Sequence, residues 1–198
     1  MNNNLRKFHI QINNFIRISK SSLTSKSVLS HIDSTKSLPC MVDVSNKTDT
    51  MRSATAKAFI TLPNEAFSLL NSDTVDKNKH MEINSAKGPV FSTAIIAGIM
   101  AAKKTSDLIP FCHTIHLSHC NITIDVYNEL ERTLLITCTV KTVNTTGVEM
   151  EALVGASTTA LCVYDMLKAI SHEIVINNIH LVNKVGGKRN VNNGIEIK

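Results

Sequence analysis

The sequence predicts a protein of the α+β class, an antiparallel sheet packed with helices. Three observations point there. Cys120 to Val126 and Thr133 to Lys141 alternate apolar and polar residues on either side of a turn at 127–131, a β-hairpin signal. Helical and strand-like segments interleave instead of forming separate blocks. A chain of 198 residues with 43% apolar content can bury the core of one ordinary domain and still carry an extension.

Residues 1–36 differ in kind from the rest. They are rich in Asn, Ser, Lys and Arg, and the first acid is Asp33. Leu5, Phe8, Ile12, Phe15 and Ile16 recur at helical spacing opposite Arg6, Asn13 and Arg17. A basic, amphipathic, acid-free start is expected of a mitochondrial transit peptide, which would send the protein to the matrix. The alternative is an Asn-rich disordered extension of a cytoplasmic protein.

The domain proper is expected over 37–198. Met41 to Val44 and Lys57 to Leu62 read as short strands, and Pro63 opens a helix through about Leu70. Asn71 to Gly88 is polar and irregular, a long loop. Phe91 to Lys104 follows as a helix with Ser92 or Thr93 near its cap. Its Ala94, Ala97, Gly98, Ala101 and Ala102 suit close packing. After the hairpin comes a long helix from about Val148 to Ile170, then a strand near Glu173 to Val182. Gly186-Gly187-Lys188 reads as a flexible tail. This order fits a sheet of ferredoxin-like type.

Composition excludes several functions. The net charge of +5 belongs to the N-terminal extension: without Arg6, Lys7, Arg17, Lys20 and Lys26, basic and acidic residues balance at 16 each. Aromatics are few, with no Trp, 2 Tyr and 6 Phe, so a base-stacking platform is not available. A ferredoxin-like RNA- or partner-binding module would need both a basic body and sheet-face aromatics. The cysteines (Cys40, Cys112, Cys120, Cys138, Cys162) are odd in number and lack paired spacing, as expected of reduced thiols. No apolar run approaches the ~20 residues of a membrane span.

Two segments could carry chemistry. In the long helix, Glu149 and Glu151 near one end, and Asp165 and Lys168 near the other, interrupt a run of Ala, Leu, Val and Met. Glu151 and Asp165 share a helix face but lie roughly 21 Å apart along a straight axis. Either the helix breaks near Gly155, or another copy of the chain completes the site; the second is favoured. An exposed helix carrying an ordinary Asp–Lys pair would explain the same residues. The second segment, Cys112 to Cys120, packs five potential zinc ligands into nine residues, but their spacing fits no usual paired-ligand pattern. A catalytic or substrate-binding His113, in the loop after Pro110, is the better reading. Lys47, Arg52 and Lys87 are either solvated or jointly phosphate-binding. No P-loop or dinucleotide fingerprint occurs.

Taken in order, several blocks resemble cyclic pyranopterin monophosphate synthases, the MoaC-type enzymes of molybdenum cofactor biosynthesis. They are Met41 to Ser45, Lys87-Gly88 with Val90-Phe91, Asp107 to Pro110 with Cys112-His113, Thr146 to Leu153, and Tyr164-Asp165-Met166 with Lys168. The resemblance runs from about Met41 to Lys188. It implies a lyase that converts a cyclised dihydroguanosine triphosphate to cyclic pyranopterin monophosphate with loss of pyrophosphate. It also implies a ferredoxin-like subunit in a homo-oligomer, a hexamer of three dimers, with sites at subunit interfaces. By the same resemblance, Asp165 with Lys168 is the acid–base pair, and Lys87, His113, Glu149 and Glu151 are catalytic. Phe111, Cys112, His113, Met150 and Glu151 would contact substrate, joined by Lys47 and Arg52. No cofactor or resident metal is required, though magnesium is compatible. Neither nucleic acid nor membrane is an expected partner. Two cations usual in the family are absent, at Ile95 and Thr145, and His113 is followed by Thr114 in place of the usual proline.

Overall fold

The structure, a computed structural model, describes residues 39–70 and 81–193. The expected presequence at 1–36 lies outside the described residues. The centre of the fold is strand β1, Thr50–Thr61. Its Ala54, Ala56, Ala58 and Ile60 are fully buried, whereas Thr55, Lys57 and Thr61 alternate to the other face. Period-two burial of small apolar residues lets helices pack directly on the strand.

β1 pairs along its whole length with β5, Thr133–Asn144, from Thr50 opposite Asn144 to Thr61 opposite Thr133. On its other side it pairs with β6, Val175–Val185, with two irregularities in register. β4, His119–Asn128, adds to β5 as the expected hairpin partner, and β7, Val191–Asn192, adds to β6. The result is a five-stranded antiparallel sheet ordered β4-β5-β1-β6-β7.

Two main helices cover one face. They are α2, Val90–Lys103, and α4, Glu149–Leu167; the short turns α1, Asn64–Phe67, and α3, Thr105–Leu108, complete the set. α2 and α4 meet where glycine faces glycine. A Cβ on Gly98 would overlap Thr159 Oγ1 and come within 2.8 Å of the Gly155 carbonyl oxygen. A Cβ on Gly155 would approach Cys138 Sγ at 2.7 Å. The small residues of α2 thus serve the close packing that the sequence suggested. Among the described residues, no helix is long and apolar enough to cross a membrane.

Several expectations need correction. Met41 to Val44 is not a strand: the Asp43 carboxylate accepts bonds from the Ser45 amide and hydroxyl, making a turn where a ladder partner would be needed. Pro63 precedes the helix rather than opening it, and α1 ends at Phe67. In the segment expected to be loop, Asn84–Ser85 (β2) and Gly88–Pro89 (β3) form a small hairpin. Residues 71–80 lie outside the described residues. Neither Ser92 nor Thr93 caps α2; Pro89 is the flanking residue, and its first amides are met by a distant carboxylate, Glu82. Gly186 and Gly187 adopt φ of 91° and 81° and turn the chain back toward β7, so the segment read as a tail is the connection between two paired strands.

Candidate active site

α4 is one unbroken helix through Gly155, so its two ends carry two separate clusters. The first lies at the N-terminus. Gly147 and Val148 turn β5 into the helix, placing Glu149 and Glu151 in the first turn, where the aligned backbone dipoles favour acids. A side chain on Gly147 would collide with the Glu149 carboxylate. Glu149 Oε1 accepts from Lys184 Nζ at 2.6 Å, a half-buried ion pair reaching across from β6.

Glu151 points inward and is 3% exposed. Burial pushes its pKa up to about 7; a bond from its own backbone opposes this, and the Glu149 charge adds to it. It therefore holds a proton near neutrality and can give it up.

A cavity of about 510 Å³ opens beside this turn. Lys47, Phe111, Cys112, His113, Met150 and Glu151 all line it, which brings together six of the residues expected to contact substrate. His113 is fixed by its Nε2, 2.8 Å from the Val42 carbonyl oxygen. Met41 to Val44, though not a strand, thus acts as a backbone support for the imidazole. Burial, then the nearby Glu151 charge, raises the pKa of Cys112, so its thiol stays protonated near neutral pH. That suits a packing or contact role better than a nucleophilic one.

The cavity runs into a wider one of about 750 Å³, with Lys47, Glu149 and Lys188 on both walls. Arg52 lines this second space, its Nε and Nη2 donating to the carbonyls of Asn144 and Thr145 at 3.2 and 3.0 Å. Lys184, Lys188 and Arg189 line it as well. These three cations were missed in the sequence; the signal was their grouping around Gly186-Gly187. Ile95, where the resemblance leads one to expect a cation, packs half-buried against the core. Thr145 contributes its carbonyl to Arg52.

The second cluster sits at the far end of α4. Asp165 Oδ1 accepts from Lys168 Nζ at 2.7 Å, and Oδ2 from Lys87 Nζ at 3.2 Å. Lys87 also donates to the Asp165 carbonyl at 2.9 Å. Hydrogen bonds from Lys168, then Lys87, hold the Asp165 carboxyl below its ordinary pKa, and Asp165 in turn raises that of Lys168. One anion between two cations leaves a positive, solvent-facing triad. Lys87, Asp165 and Lys168 are thus brought together, but roughly 21 Å along the helix from Glu151. Within one chain they do not share a pocket with His113.

The potential zinc ligands of 112–120 do not converge. His116 and His119 are exposed, and Cys120 turns toward the core instead. Among the described residues no group of three His, Cys, Asp or Glu is arranged to hold a metal.

Comparison with known proteins gives a consistent picture. The MoaC family matches residues 41–187. A cyclic pyranopterin monophosphate synthase of Xanthomonas oryzae pv. oryzae is 47% identical over 163 residues, covering 82% of this chain and 92% of that protein. One from Geobacillus thermodenitrificans is 45% identical over 149 residues, 75% of this chain and 86% of that protein. Molybdenum cofactor biosynthesis protein 1 of Dictyostelium discoideum is 42% identical over 190 residues. The match covers 91% of this chain but 30% of that longer relative.

Proposed function

The chain belongs to the MoaC family, and from that premise we propose that it converts a cyclised dihydroguanosine triphosphate to cyclic pyranopterin monophosphate and pyrophosphate. It is an enzyme of molybdenum cofactor biosynthesis. The observation that carries the specific reaction is the convergence of Lys47, Phe111, Cys112, His113, Met150 and Glu151 on one cavity that continues into a cationic one. The first is sized for a heterocycle, and the second is charged for phosphates.

The reaction opens a purine-derived ring and rebuilds it as a pterin, so protons must be delivered and removed at several atoms. Glu151, poised near neutrality, suits protonation, and His113 can relay. Asp165, kept ionised, suits proton abstraction, with the Lys168 ammonium returning one. Each positioned acid or base is worth on the order of 10²–10⁴-fold. In the last step a substrate hydroxyl attacks the α-phosphorus, loses its proton to a base, and the bond to the β-phosphate oxygen breaks. Pyrophosphate leaves with that electron pair, and Lys47, Arg52 and Lys87 stabilise its charge. The scheme needs no cofactor. Glu149 and Asp165 are committed to lysines, so no step is routed through a resident metal; magnesium would enter only with the triphosphate.

We further read the subunit as ferredoxin-like and the working form as a homo-oligomer, a hexamer built as a trimer of dimers. Support for the fold comes from a β-α-β-β-α-β succession in which β6, β1, β5 and β4 lie side by side in that order. Support for assembly comes from the distance between the two clusters of α4. Exposed Ile96 and Met100 on α2 and Leu161 on α4 add apolar surface that a neighbour could cover.

The test is direct. Purified protein given the cyclised triphosphate should release pyrophosphate together with an oxidisable, fluorescent pterin. Asp165→Asn should lower turnover by at least about 10³-fold while substrate still binds. Full activity in that variant would remove Asp165 from the mechanism, and no pterin from wild-type protein would remove the reaction itself.

A further inference from the structure

Lys87 reaches Asp165 from the turn of the β2–β3 hairpin, whose strands are two residues each. A ribbon that short cannot fix its own direction. Its turn is internally braced: the Lys87 amide donates to Ser85 Oγ, and that hydroxyl donates to the Gly88 carbonyl, both at 3.1 Å. Gly88 takes φ of 108°, a conformation suited to glycine. These bonds shape the turn without aiming it.

The aim comes from the foot of the hairpin. Glu82 Oε1 accepts the amides of Ile83 and Phe91 at 2.9 and 2.7 Å. Its Oε2 accepts the Ser92 amide at 3.0 Å and the Ser92 hydroxyl at 2.7 Å. One carboxylate thus ties the residue entering β2 to the first turn of α2, filling the role that a local capping side chain would take. Burial opposes its charge, but the bonds from Ser92, Phe91 and Ile83 outweigh this and hold its pKa below the ordinary value. The Val90 amide donates to the Ile83 carbonyl at 2.9 Å, and fully buried Ile83, Val90 and Phe91 pack beneath. α2 in turn is locked to α4 at Gly98 and Gly155, and α4 carries Asp165. The path from Glu82 to the ammonium is continuous.

We infer that Glu82 is a positioning residue for Lys87: its carboxylate clamps the hairpin to the start of α2 and so directs the Lys87 ammonium at Asp165. The inference rests on the reading of Lys87, Asp165 and Lys168 as a catalytic group. Glu82 itself touches no reacting atom. Its replacement by an amide turns one acceptor oxygen into a donor facing other donors, which releases at least one side of the clamp.

The experiment combines Glu82→Gln with Lys87→Ala, singly and together, in the full chain. Two readouts are followed: the titration of the Asp165 carboxyl by NMR, and kcat against KM with the cyclised triphosphate. Glu82→Gln should raise the Asp165 pKa toward its value in Lys87→Ala. It should also lower kcat by roughly 10²-fold, with KM changed less than about threefold. In the Lys87→Ala background it should change neither quantity further, because the group it positions is gone. Glu82→Asp, which keeps the charge but shortens the reach, should fall between wild type and Glu82→Gln. An Asp165 titration unmoved by Glu82→Gln, or moved equally with Lys87 already removed, overturns the inference. If wild-type protein makes no pterin, the proposed reaction fails, and the NMR titration still decides the role of Glu82.

Discussion

Glu151 is the most informative single residue, because it is an acid buried at 3% exposure with no cation bonded to it among the described residues. Its pKa rises from 4.5 to about 7, chiefly through burial. The folded chain therefore holds a proton there that the unfolded chain releases. The stability this contributes is complete below pH 4.5 and is lost as pH rises through about 7. The size is on the order of 3 kcal/mol. Glu151→Gln should flatten this dependence: its Tm should match wild type near pH 5 and exceed it at pH 8, in thermal unfolding followed by circular dichroism. A Tm difference independent of pH would contradict the assignment. Asp165 has the opposite sign. Held ionised by Lys168 and Lys87, it favours the folded state above its unfolded pKa, and this is lost as pH falls through the lowered folded value. Being exposed, it matters more to chemistry than to stability.

At the scale of elements, the crossing of α2 over α4 sets where everything else sits. Gly98 has no free space: a methyl group there would overlap Thr159 Oγ1 and approach Ile122 Cδ1 at 2.7 Å and the Gly155 carbonyl oxygen at 2.8 Å. A side chain can rotate away, but the Gly155 carbonyl belongs to a helix backbone and cannot, so the helices must separate. Gly98→Ala should cost about 1–3 kcal/mol, against the slight gain expected for alanine in an exposed helix. Chemical denaturation measures it, and an unchanged midpoint would show that the crossing yields. The same separation would shift α2, which carries the hairpin, relative to Asp165.

For the whole molecule, the decisive quantity is the distance along α4. A single small substrate cannot touch both Glu151 and Asp165 of one chain across roughly 21 Å. Two copies arranged about a twofold axis can present opposite ends of their helices to each other, giving each site residues from both. Co-refolding His113→Ala chains with Asp165→Asn chains should then recover turnover well above either parent, because some interfaces receive both intact halves. Activity no higher than the sum of the parents would place all catalytic groups within one chain.

The sequence by itself determined the fold class, the β4–β5 hairpin, the long helix and six of the residues that line the smaller cavity. Those rest on periodicity and on local blocks such as Gly147 to Leu153, which are written in adjacent residues. It also fixed the separation of Glu151 from Asp165, because helix rise is a constant. Tertiary structure alone decided that Met41 to Val44 would support His113 instead of pairing in the sheet. Likewise it paired Lys184 with Glu149, brought Lys188 and Arg189 to the same cavity, and gave Glu82 the amides of Phe91 and Ser92. Each of these depends on which distant backbone or charge comes within hydrogen-bonding reach. Residue type states what a side chain can bond, but only the folded path of the chain supplies the partner.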